Sequence, residues 1–407
     1  MSRRGTVDSV ERTELLELLS PGGLGLLDSL PPYESKGDVL ALVAALRKQG
    51  HSPELVSAVL TQSRLRRKAA AKFGDFAPSM LFTEAGLEQA TRLRVASLHA
   101  GRFRDAGLRH VVDLGCGIGG DALALAGLGL TVTAVEADEV TAAIASFNLA
   151  PFETAAVVHA RAEEVDLGTA DAAYLDPARR TAGHTGTTRL TDPNDYSPSL
   201  GFAFGLGERM PVGVKLGPGL DRELIPAEAE AQWVSVGGQL TEMGLWFREL
   251  ARPGIRRSAL VLGETGIDEL TAAADSPDAE VGELGGFLLE PDAAVIRARL
   301  IGDLARSLDA RMVSGGIAYL TADEPPHTPF ATAFRVLETL PADEKRLKKA
   351  LRERGIGTLE IKKRGIDIDP ATLRQRLALS GPESATIVMT RVAGRHTTLL
   401  VERLARP

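Results

Sequence analysis

The sequence has 407 residues, a formal net charge of −7 and a single cysteine. Its length is enough for two or three domains with a large core. One cysteine excludes an internal disulfide and a cysteine-based zinc cluster, and the seven histidines show no metal-ligand spacing. No apolar run reaches the roughly 18 residues that span a bilayer, and the N-terminus lacks the apolar core of a signal peptide. We therefore expect a cytoplasmic protein without a metal site or membrane contact, whose oligomeric state stays open.

Residues 1–106 are predicted to form a helical region. Phe82–Ala106 is predicted as one long helix that begins after Thr83, because threonine is a suitable N-cap. Apolar residues also recur at helical spacing in three earlier segments: Ser9–Leu19, Gly37–Lys48 and Pro53–Leu60.

A further segment of this region, Gln62–Gly74, is strongly basic. Five cations in nine positions extend around a helix and cannot form one solvated stripe. A solvated surface helix and a phosphate-contacting helix both fit this pattern. The cations lie within residues 64–72: Arg64, Arg66, Arg67, Lys68 and Lys72.

The stretch His110–Asp138 predicts a strand, a glycine-rich turn, a helix and a second strand. Its first part is an apolar run typical of a buried parallel strand. A second predicted strand, Thr131–Val135, ends in Glu136, which lies 21 positions after Gly115. A carboxylate there can accept hydrogen bonds from two ribose hydroxyls, so the stretch predicts a cofactor that contains adenosine. Glycines, which let the backbone turn sharply beside a ligand, occupy four positions: Gly115, Gly117, Gly119 and Gly120.

The residue before this turn distinguishes between two cofactors. Gly115, Gly117 and Gly120 satisfy the dinucleotide spacing G-x-G-x-x-G. Asp113 would repel a pyrophosphate, because like charges repel. It suits S-adenosylmethionine (SAM), which carries a sulfonium and an amino group and no phosphate. Asp113 as a mere strand-end cap leaves the glycine cluster unexplained, so the pattern favours SAM over NAD.

The runs VVDLGCGIGG and VEAD resemble motifs I and II of class I SAM-dependent methyltransferases. The resemblance implies an α/β fold with a Rossmann-like seven-stranded methyltransferase domain at residues 107–271. This domain would lie between the N-terminal helical region and a C-terminal α+β domain. The resemblance also implies cofactor contacts from the glycine turn and the strand ends: Asp113, Gly115, Cys116, Gly117, Gly119, Asp121, Glu136, Ala137, Ala162, Glu163 and Asp176.

The resemblance is imperfect around adenine. Arg161 stands where related enzymes carry an acidic residue, so Glu163 or the backbone alone is expected to meet the adenine amino group. In many such enzymes a helix before the first strand covers the methionine end of the cofactor. Thr83, Glu88 and Gln89 are candidates for that contact, although simply starting a helix also explains them.

The pattern of residues 107–263 predicts a mostly parallel sheet, because helices alternate with the first five strands. Ligands bind such sheets at the carboxyl ends of the strands. Asp113, Glu136, Arg161–Glu163, Asp176 and Lys215 all fall at such ends. The predicted strands are Arg109–Asp113, Thr131–Val135, Ala155–His159, Ala172–Leu175, Pro211–Lys215, Trp233–Val236 and Ser258–Leu262.

The run YLDPARRT, Tyr174–Thr181, follows the fourth predicted strand. Pro177 restricts the turn, so the Asp176 carboxylate is held rigidly and can accept a hydrogen bond from a substrate amine or hydroxyl. The run resembles motifs of nucleic-acid amino-methyltransferases and of RNA uridine-5-methyltransferases. The latter need a cysteine thiolate after the fifth strand, and VGVKLGPGLD has none. Direct transfer to nitrogen or oxygen is therefore expected, with Asp176, Pro177 and Arg179 as catalytic residues.

The segment Ala178–Ser197 is predicted to bind the substrate, because a loop of about 20 residues beside a reaction centre usually has a function. Arg179 and Arg180 would bind a phosphate or another anionic group, and Lys215 would steer an anion. The alternative interpretation is that these cations pair with nearby carboxylates of the chain: Asp192 or Asp195 for the arginines, and Asp176 or Asp221 for the lysine.

Residues 281–407 follow a polar linker, Ala272–Gly285, and are predicted to form a small α+β domain. Residues 345–364 carry nine cations, which fit a phosphate-binding surface or a solvated helix face. The predicted helices are Ala342–Arg354 and Pro370–Leu379, and the predicted strands are Gly316–Thr321, Thr332–Glu338, Gly357–Lys363, Ala385–Val392 and Thr397–Glu402.

The runs LLEPDAAVIRA and LEIKKRG and the closing strands resemble the THUMP-like domain that follows certain bacterial methyltransferase domains. THUMP domains proper bind RNA, so this resemblance implies an RNA substrate. We thus predict methyl transfer to a nitrogen of an RNA nucleotide by direct in-line displacement. Methylation of a small molecule or protein, and a non-catalytic RNA-binding protein that keeps SAM structurally, are the other hypotheses. Steep weakening of binding by salt would distinguish RNA from a small molecule.

Overall fold

The computed structural model describes residues 13–31, 36–179, 196–264 and 266–405, without the side chains of Lys36 and Arg179. The chain divides into two compact units. The first comprises Met1–Lys215 with Phe247–Leu250, and the second comprises Leu216–Trp246 with Ala251–Pro407. None of the described helices is long and apolar enough to cross a membrane. The domain boundaries given above stay a prediction.

The N-terminal part of the first unit is helical, as the sequence predicts. The two segments Pro53–Leu60 and Gln62–Gly74 form a single helix of 21 residues, Pro53–Phe73. Ser52 caps this helix by accepting a hydrogen bond from the Leu55 amide at 3.1 Å. Helices in this part are α1 (Pro21–Ser29), α2 (Lys36–Lys48), α3 (Pro53–Phe73), α4 (Glu84–Gln89) and α5 (Leu93–Asp105), with a 3-10 helix at Gly74–Ser79.

The single helix predicted over Phe82–Ala106 is wrong, because the structure has two helices there, α4 and α5. The chain is extended at Ala90 and Arg92, with ψ of 139° and 133°. Between them, Thr91 is buried and its hydroxyl donates to Asp121 at 2.7 Å. This long-range hydrogen bond holds Thr91 within the extended stretch, so tertiary contact overrides helix propensity here.

The first unit also contains five parallel strands in the order β7-β4-β1-β2-β3. Strand β1 is thus flanked by β2 and β4, and their carboxyl ends lie together at one edge. The strands are β1 (His110–Leu114), β2 (Thr131–Glu136), β3 (Ala155–His159), β4 (Ala172–Leu175), the short pair β5 (Ala178–Arg179) and β6 (Tyr196–Ser197), and β7 (Val212–Leu216). The helices are α6 (Gly120–Gly127), α7 (Glu139–Leu149) and α8 (Leu200–Gly207), with 3-10 helices at Ala162–Glu164 and Arg248–Leu250.

The second unit begins with four strands in the order β11-β10-β8-β9. These four and the five parallel strands make nine among the described residues of this part of the chain, besides the short pair β5–β6, where the sequence predicts seven. The two unexpected strands, β9 and β11, are both antiparallel to their neighbours β8 and β10. Gly237 and Gly238, with φ of 58° and 78°, form the two-residue turn between β8 and β9, which is a recognisable hairpin signal. The strands are β8 (Glu230–Val236), β9 (Gln239–Phe247), β10 (Arg257–Leu262) and β11 (Ile267–Ala272), with a 3-10 helix at Arg222–Leu224.

A seven-stranded sheet forms the rest of the second unit, in the order β13-β14-β12-β15-β18-β17-β16. Helices α11 and α12 pack on it through buried leucines such as Leu347 and Leu373. This matches the α+β prediction. The strands are β12 (Phe287–Pro291), β13 (Arg311–Met312), β14 (Leu320–Ala322), β15 (Ala331–Leu340), β16 (Ile356–Lys363), β17 (Glu383–Val392) and β18 (Arg395–Arg403). The helices are α9 (Ala293–Arg297), α10 (Ile301–Ser307), α11 (Glu344–Glu353) and α12 (Pro370–Leu377).

Candidate active site

A cavity of about 360 Å³ lies at the carboxyl ends of the parallel strands in the first unit. Thr83, Gln89 and Thr91 line it from the α4 segment. Ser197, the last residue of the predicted substrate loop, and Pro198 line it as well. Ten of the residues predicted to contact a cofactor lie on its wall: Asp113, Gly115, Cys116, Gly117, Asp121, Glu136, Ala137, Ala162, Glu163 and Asp176.

The glycine turn after β1 lines this cavity with Gly115 and Gly117. Gly115 and Gly117 have φ of 89° and 56°, a left-handed conformation that favours glycine. The Gly117 amide donates a hydrogen bond to Glu136 at 3.0 Å, and the Asp138 amide donates to the other carboxylate oxygen at 2.9 Å. The backbone therefore fixes the orientation of the Glu136 carboxylate. Gly119 does not line the cavity, because it lies against α7, where an added Cβ would come 3.4 Å from Leu149.

Negative charge concentrates in this cavity. Asp113 is 1% exposed, and its Oδ2 has no hydrogen-bond partner among the described residues. Burial raises the pKa of Asp113 well above its ordinary value, and the nearby carboxylates of Asp121 and Asp176 raise it further. A buried carboxylate oxygen without a donor is costly. The cavity therefore suits a ligand that brings positive charge to Asp113.

The relatives of the chain show its family. An uncharacterized SAM-dependent methyltransferase of Mycobacterium tuberculosis strain CDC 1551 / Oshkosh is 35% identical over 365 residues, which cover 88% of this chain and 97% of the relative. The chain belongs to the SAM-dependent methyltransferases. A second relative, from strain H37Rv, matches equally well. The family resemblance and the SAM cofactor that the sequence predicts are confirmed.

Two parts of the methyltransferase match family models, and one solved structure matches most of its length. Residues 331–403 match the family described as THUMP domain-like, and residues 11–69 match a domain of unknown function. A Porphyromonas gingivalis W83 protein, crystallised as a candidate methyltransferase, has the same fold with a TM-score of 0.71 and 20% identity. The alignment covers 92% of this chain and all of that one. The predicted fold class is confirmed.

A buried polar network lies next to the cavity in the methyltransferase. Lys215 Nζ forms an ion pair with Asp176 at 2.5 Å and donates to the Thr91 hydroxyl at 2.9 Å. Thr91 in turn donates to Asp121 at 2.7 Å. His99 Nδ1 lies 3.0 Å from Asp121. The catalytic candidate Asp176 is thereby connected through side chains to α6, on which Asp121 stands.

The charge of Asp121 is stabilised by this network. Burial alone would raise its pKa, but the hydrogen bond and charge of His99, the charge of Lys215 and the hydrogen bond from Thr91 outweigh burial and lower the pKa. Tyr174 lies on β4, two residues before Asp176, and its hydroxyl is 3.0 Å from the same His99 nitrogen. Asp121 therefore has partners in the chain, whereas Asp113 Oδ2 has none that the described residues supply.

Sequence reasoning placed some of these residues and missed others. Lys215 was expected to bind substrate, but its side chain is 10% exposed and is absent from the cavity wall. The alternative, pairing with Asp176, is the contact observed. Thr91, His99 and Tyr174 were not predicted. Tyr174 had a signal, since it is a polar side chain in a buried strand and lies two residues before the Asp-Pro motif, but Thr91 and His99 had none.

Replacement of Lys215 tests whether this network serves the reaction. We expect Lys215→Met to lower methyl transfer about tenfold to a hundredfold, because Asp176 loses the ion pair that holds its carboxylate in place. The measurement is the single-turnover rate of methyl transfer at saturating SAM. An unchanged rate would show that the ion pair has no influence on the reaction.

The predicted substrate-binding arginines lie largely outside the described residues. Arg180 and the side chain of Arg179 are not described. The backbone at Arg179 is described, and it pairs with Tyr196 in the antiparallel pair β5–β6. Ala178 and Ser197, which pair with each other, both line the cavity. The two ends of the predicted substrate loop therefore pair with each other at the cavity wall.

The basic segment 64–72 is not a uniform basic surface. Arg64 forms two hydrogen bonds with Glu84, at 3.0 and 3.1 Å. Arg66 is 12% exposed, donates to the Met80 carbonyl and pairs with Asp28. Lys72 donates to three backbone carbonyls of residues 87–90. These three cations thus make contacts within the chain, and the interpretation of this segment as a phosphate-contacting helix stays a prediction.

Proposed function

We propose that this methyltransferase transfers the methyl group of SAM to a nitrogen of an RNA nucleotide by direct in-line displacement. The observation that carries the proposal is the place of Asp176. Its carboxylate lies on the cavity wall at the end of β4 and is held by Lys215 at 2.5 Å. The buried Pro177 follows it. A fixed carboxylate beside the cofactor can align an amino group.

The residues on the wall fit SAM as the occupant of the cavity. The carboxylate of Asp113, whose Oδ2 accepts no hydrogen bond from the part of the chain that the structure describes, would pair with the positive end of the cofactor. Glu136, which the backbone orients, would accept hydrogen bonds from the ribose hydroxyls. Ala162 and Glu163 would border the adenine. Bound SAM supplies an activated methyl group on a positively charged sulfur.

Asp176 would act on the nucleophile and not on the methyl group. Its carboxylate would accept a hydrogen bond from the substrate N–H and hold the nitrogen in line with the carbon it attacks. Lys215 would hold this carboxylate in place through their ion pair at 2.5 Å. Pro177 restricts the backbone on which Asp176 stands. Arg179 and Arg180 would neutralise a phosphate of the substrate.

A covalent mechanism through Cys116 has no support in the geometry. Burial raises the pKa of its thiol well above the ordinary value, and the negative charges of Asp113 and Glu136 raise it further. We therefore expect Cys116→Ala to retain methyl transfer within about threefold, because no thiolate is needed. The assay is transfer of labelled methyl groups from SAM. A loss above a hundredfold, with a covalent adduct between protein and RNA in the unmodified enzyme, would contradict direct transfer.

The RNA substrate is supported by the second unit. Its THUMP-like match covers residues 331–403. Lys345, Arg346 and Lys363 are exposed there. Other cations of residues 345–364 are already paired within the chain, for example Arg354 with Glu338 and Lys362 with Glu290. The phosphate-binding surface we propose is therefore smaller than the sequence suggests. We place the reaction in the cytoplasm, where the single cysteine would stay reduced.

The proposal is tested by methyl transfer to purified RNA. Total RNA from cells that lack the protein should accept labelled methyl groups, and RNA from cells that contain it should be already modified. RNA binding should weaken steeply with salt, since each phosphate contact releases counterions. Acceptance of the label by protein or small-molecule fractions, with RNA inert, would contradict the proposal and favour the other substrate classes.

A further inference from the structure

One short segment, residues 83–91, supplies part of the wall of the cofactor cavity. The helix α4 within it has only six residues, Glu84–Gln89, and a helix of that length is not stable by itself in water. Its position must therefore come from contacts with other parts of the chain. The 83–91 segment contributes six residues to the wall: Thr83, Ala85, Gly86, Gln89, Ala90 and Thr91.

Helix α3 holds the beginning of this segment. The side-chain amide of Gln62, which is buried, donates to the Phe82 carbonyl at 2.7 Å and accepts from the Phe82 amide at 3.0 Å. Arg64, two residues further along α3, pairs with Glu84. Both Gln62 and Arg64 lie in the region that matches a domain of unknown function. That region therefore contacts the beginning of the 83–91 segment, which forms part of the cavity wall.

Lys72, near the end of α3, holds the other end of the segment. Its Nζ donates to the carbonyls of Leu87, Glu88 and Ala90 at 2.8, 2.6 and 2.7 Å. The last carbonyls of a helix have no partner within the helix, and they carry partial negative charge. An ammonium has three donors, and here three carbonyls receive them. The next residue, Thr91, begins the network to Asp121 and Lys215.

We propose that Lys72 is a positioning residue for SAM. It does not line the cavity, so it acts through the carbonyls that fix the 83–91 segment. Burial lowers the pKa of Lys72, and the charges of Lys215 and Arg92 lower it further. The lysine is thus held at this place against an electrostatic cost by its three hydrogen bonds. By this proposal, the N-terminal helical region helps to set the affinity for SAM.

The test compares three variants by calorimetric titration with SAM and with S-adenosylhomocysteine. We expect Lys72→Met to raise the Kd for both ligands about tenfold, because several charge-assisted hydrogen bonds are lost. Lys72→Arg keeps the charge and donors and should restore most of the affinity. Lys68→Met is the matched control, since Lys68 is exposed on the same helix, and it should bind like the unmodified protein. Wild-type Kd values in Lys72→Met would overturn the proposal, as would failure of Lys72→Arg to bind better than Lys72→Met.

Hydrogen exchange of the unmodified protein gives an answer even if Lys72→Met does not fold. The proposal expects SAM to slow amide exchange in both the 83–91 segment and residues 62–73 of α3, because the two move together. Protection of the 83–91 segment alone would overturn it. Neither experiment involves RNA or methyl transfer, so a failure of the RNA proposal leaves this inference unaffected.

Discussion

Asp176→Asn is expected to lower methyl transfer about a thousandfold while the Kd for SAM changes less than threefold. Asparagine keeps the size of the side chain but loses the negative charge that faces Lys215 at 2.5 Å and would face the substrate nitrogen. A neutral amide accepts a weaker hydrogen bond than a carboxylate, and it presents an NH2 group that competes with the nucleophile. Single-turnover rates with the RNA acceptor and calorimetric titration with SAM would measure the two effects separately.

Asp75→Asn is the matched control for this variant, because Asp75 is exposed and lies in the same unit. It should leave both the rate and the affinity unchanged. Turnover of Asp176→Asn within tenfold of the unmodified enzyme would remove Asp176 from the reaction. Equal losses in rate and SAM affinity would instead make it a cofactor-binding residue.

Asp113→Asn is expected to weaken SAM binding about a hundredfold, because a buried charge-assisted contact is replaced by a neutral one. The same substitution should leave the protein at least as stable in the absence of SAM. Asp113 has a raised pKa in the folded state, so its contribution to stability is present at low pH and is lost as the pH rises through that pKa. Asparagine has no charge to bury and avoids this loss. Thermal unfolding without SAM, together with calorimetric titration, measures both effects.

The raised pKa also predicts a pH dependence of SAM binding. A protonated Asp113 cannot pair with the positive cofactor, so affinity should fall as the pH drops through the raised pKa. Binding near that pKa should release a proton, which titrations in buffers of different ionisation enthalpy detect. Asp113→Asn should bind SAM without releasing this proton. Strong SAM binding by Asp113→Asn, or a marked loss of stability without ligand, would show that the carboxylate is structural.

The strand-end positions of the site could be predicted because they depend on local sequence pattern. An apolar run followed by glycines predicts β1 and its turn, and parallel strands bring their carboxyl ends to one edge. Asp113, Glu136 and Asp176 were placed at one edge by this argument, and all three line the same cavity. Their roles in binding and catalysis stay predictions.

The network beside the cavity could not be predicted, because its partners are far apart in sequence. Lys215 and Thr91 are separated by 124 positions, and Tyr174 and His99 by 75. Neither spacing nor hydrophobic period indicates such pairs. The same cause explains the helix predicted over Phe82–Ala106, since its break at Thr91 arises from bonds to distant residues. Similarly, charge alone did not show that Lys72 binds backbone carbonyls.

Mass spectrometry of RNA nucleosides tests the central claim most directly. The comparison needs cells that lack the protein, cells that contain it and cells that contain Asp176→Asn. We predict that one nucleoside, methylated on a base nitrogen, is present only in cells that contain the wild-type protein. Identical nucleoside profiles in all three strains, with methyl groups found instead on a protein or a small molecule, would contradict the account.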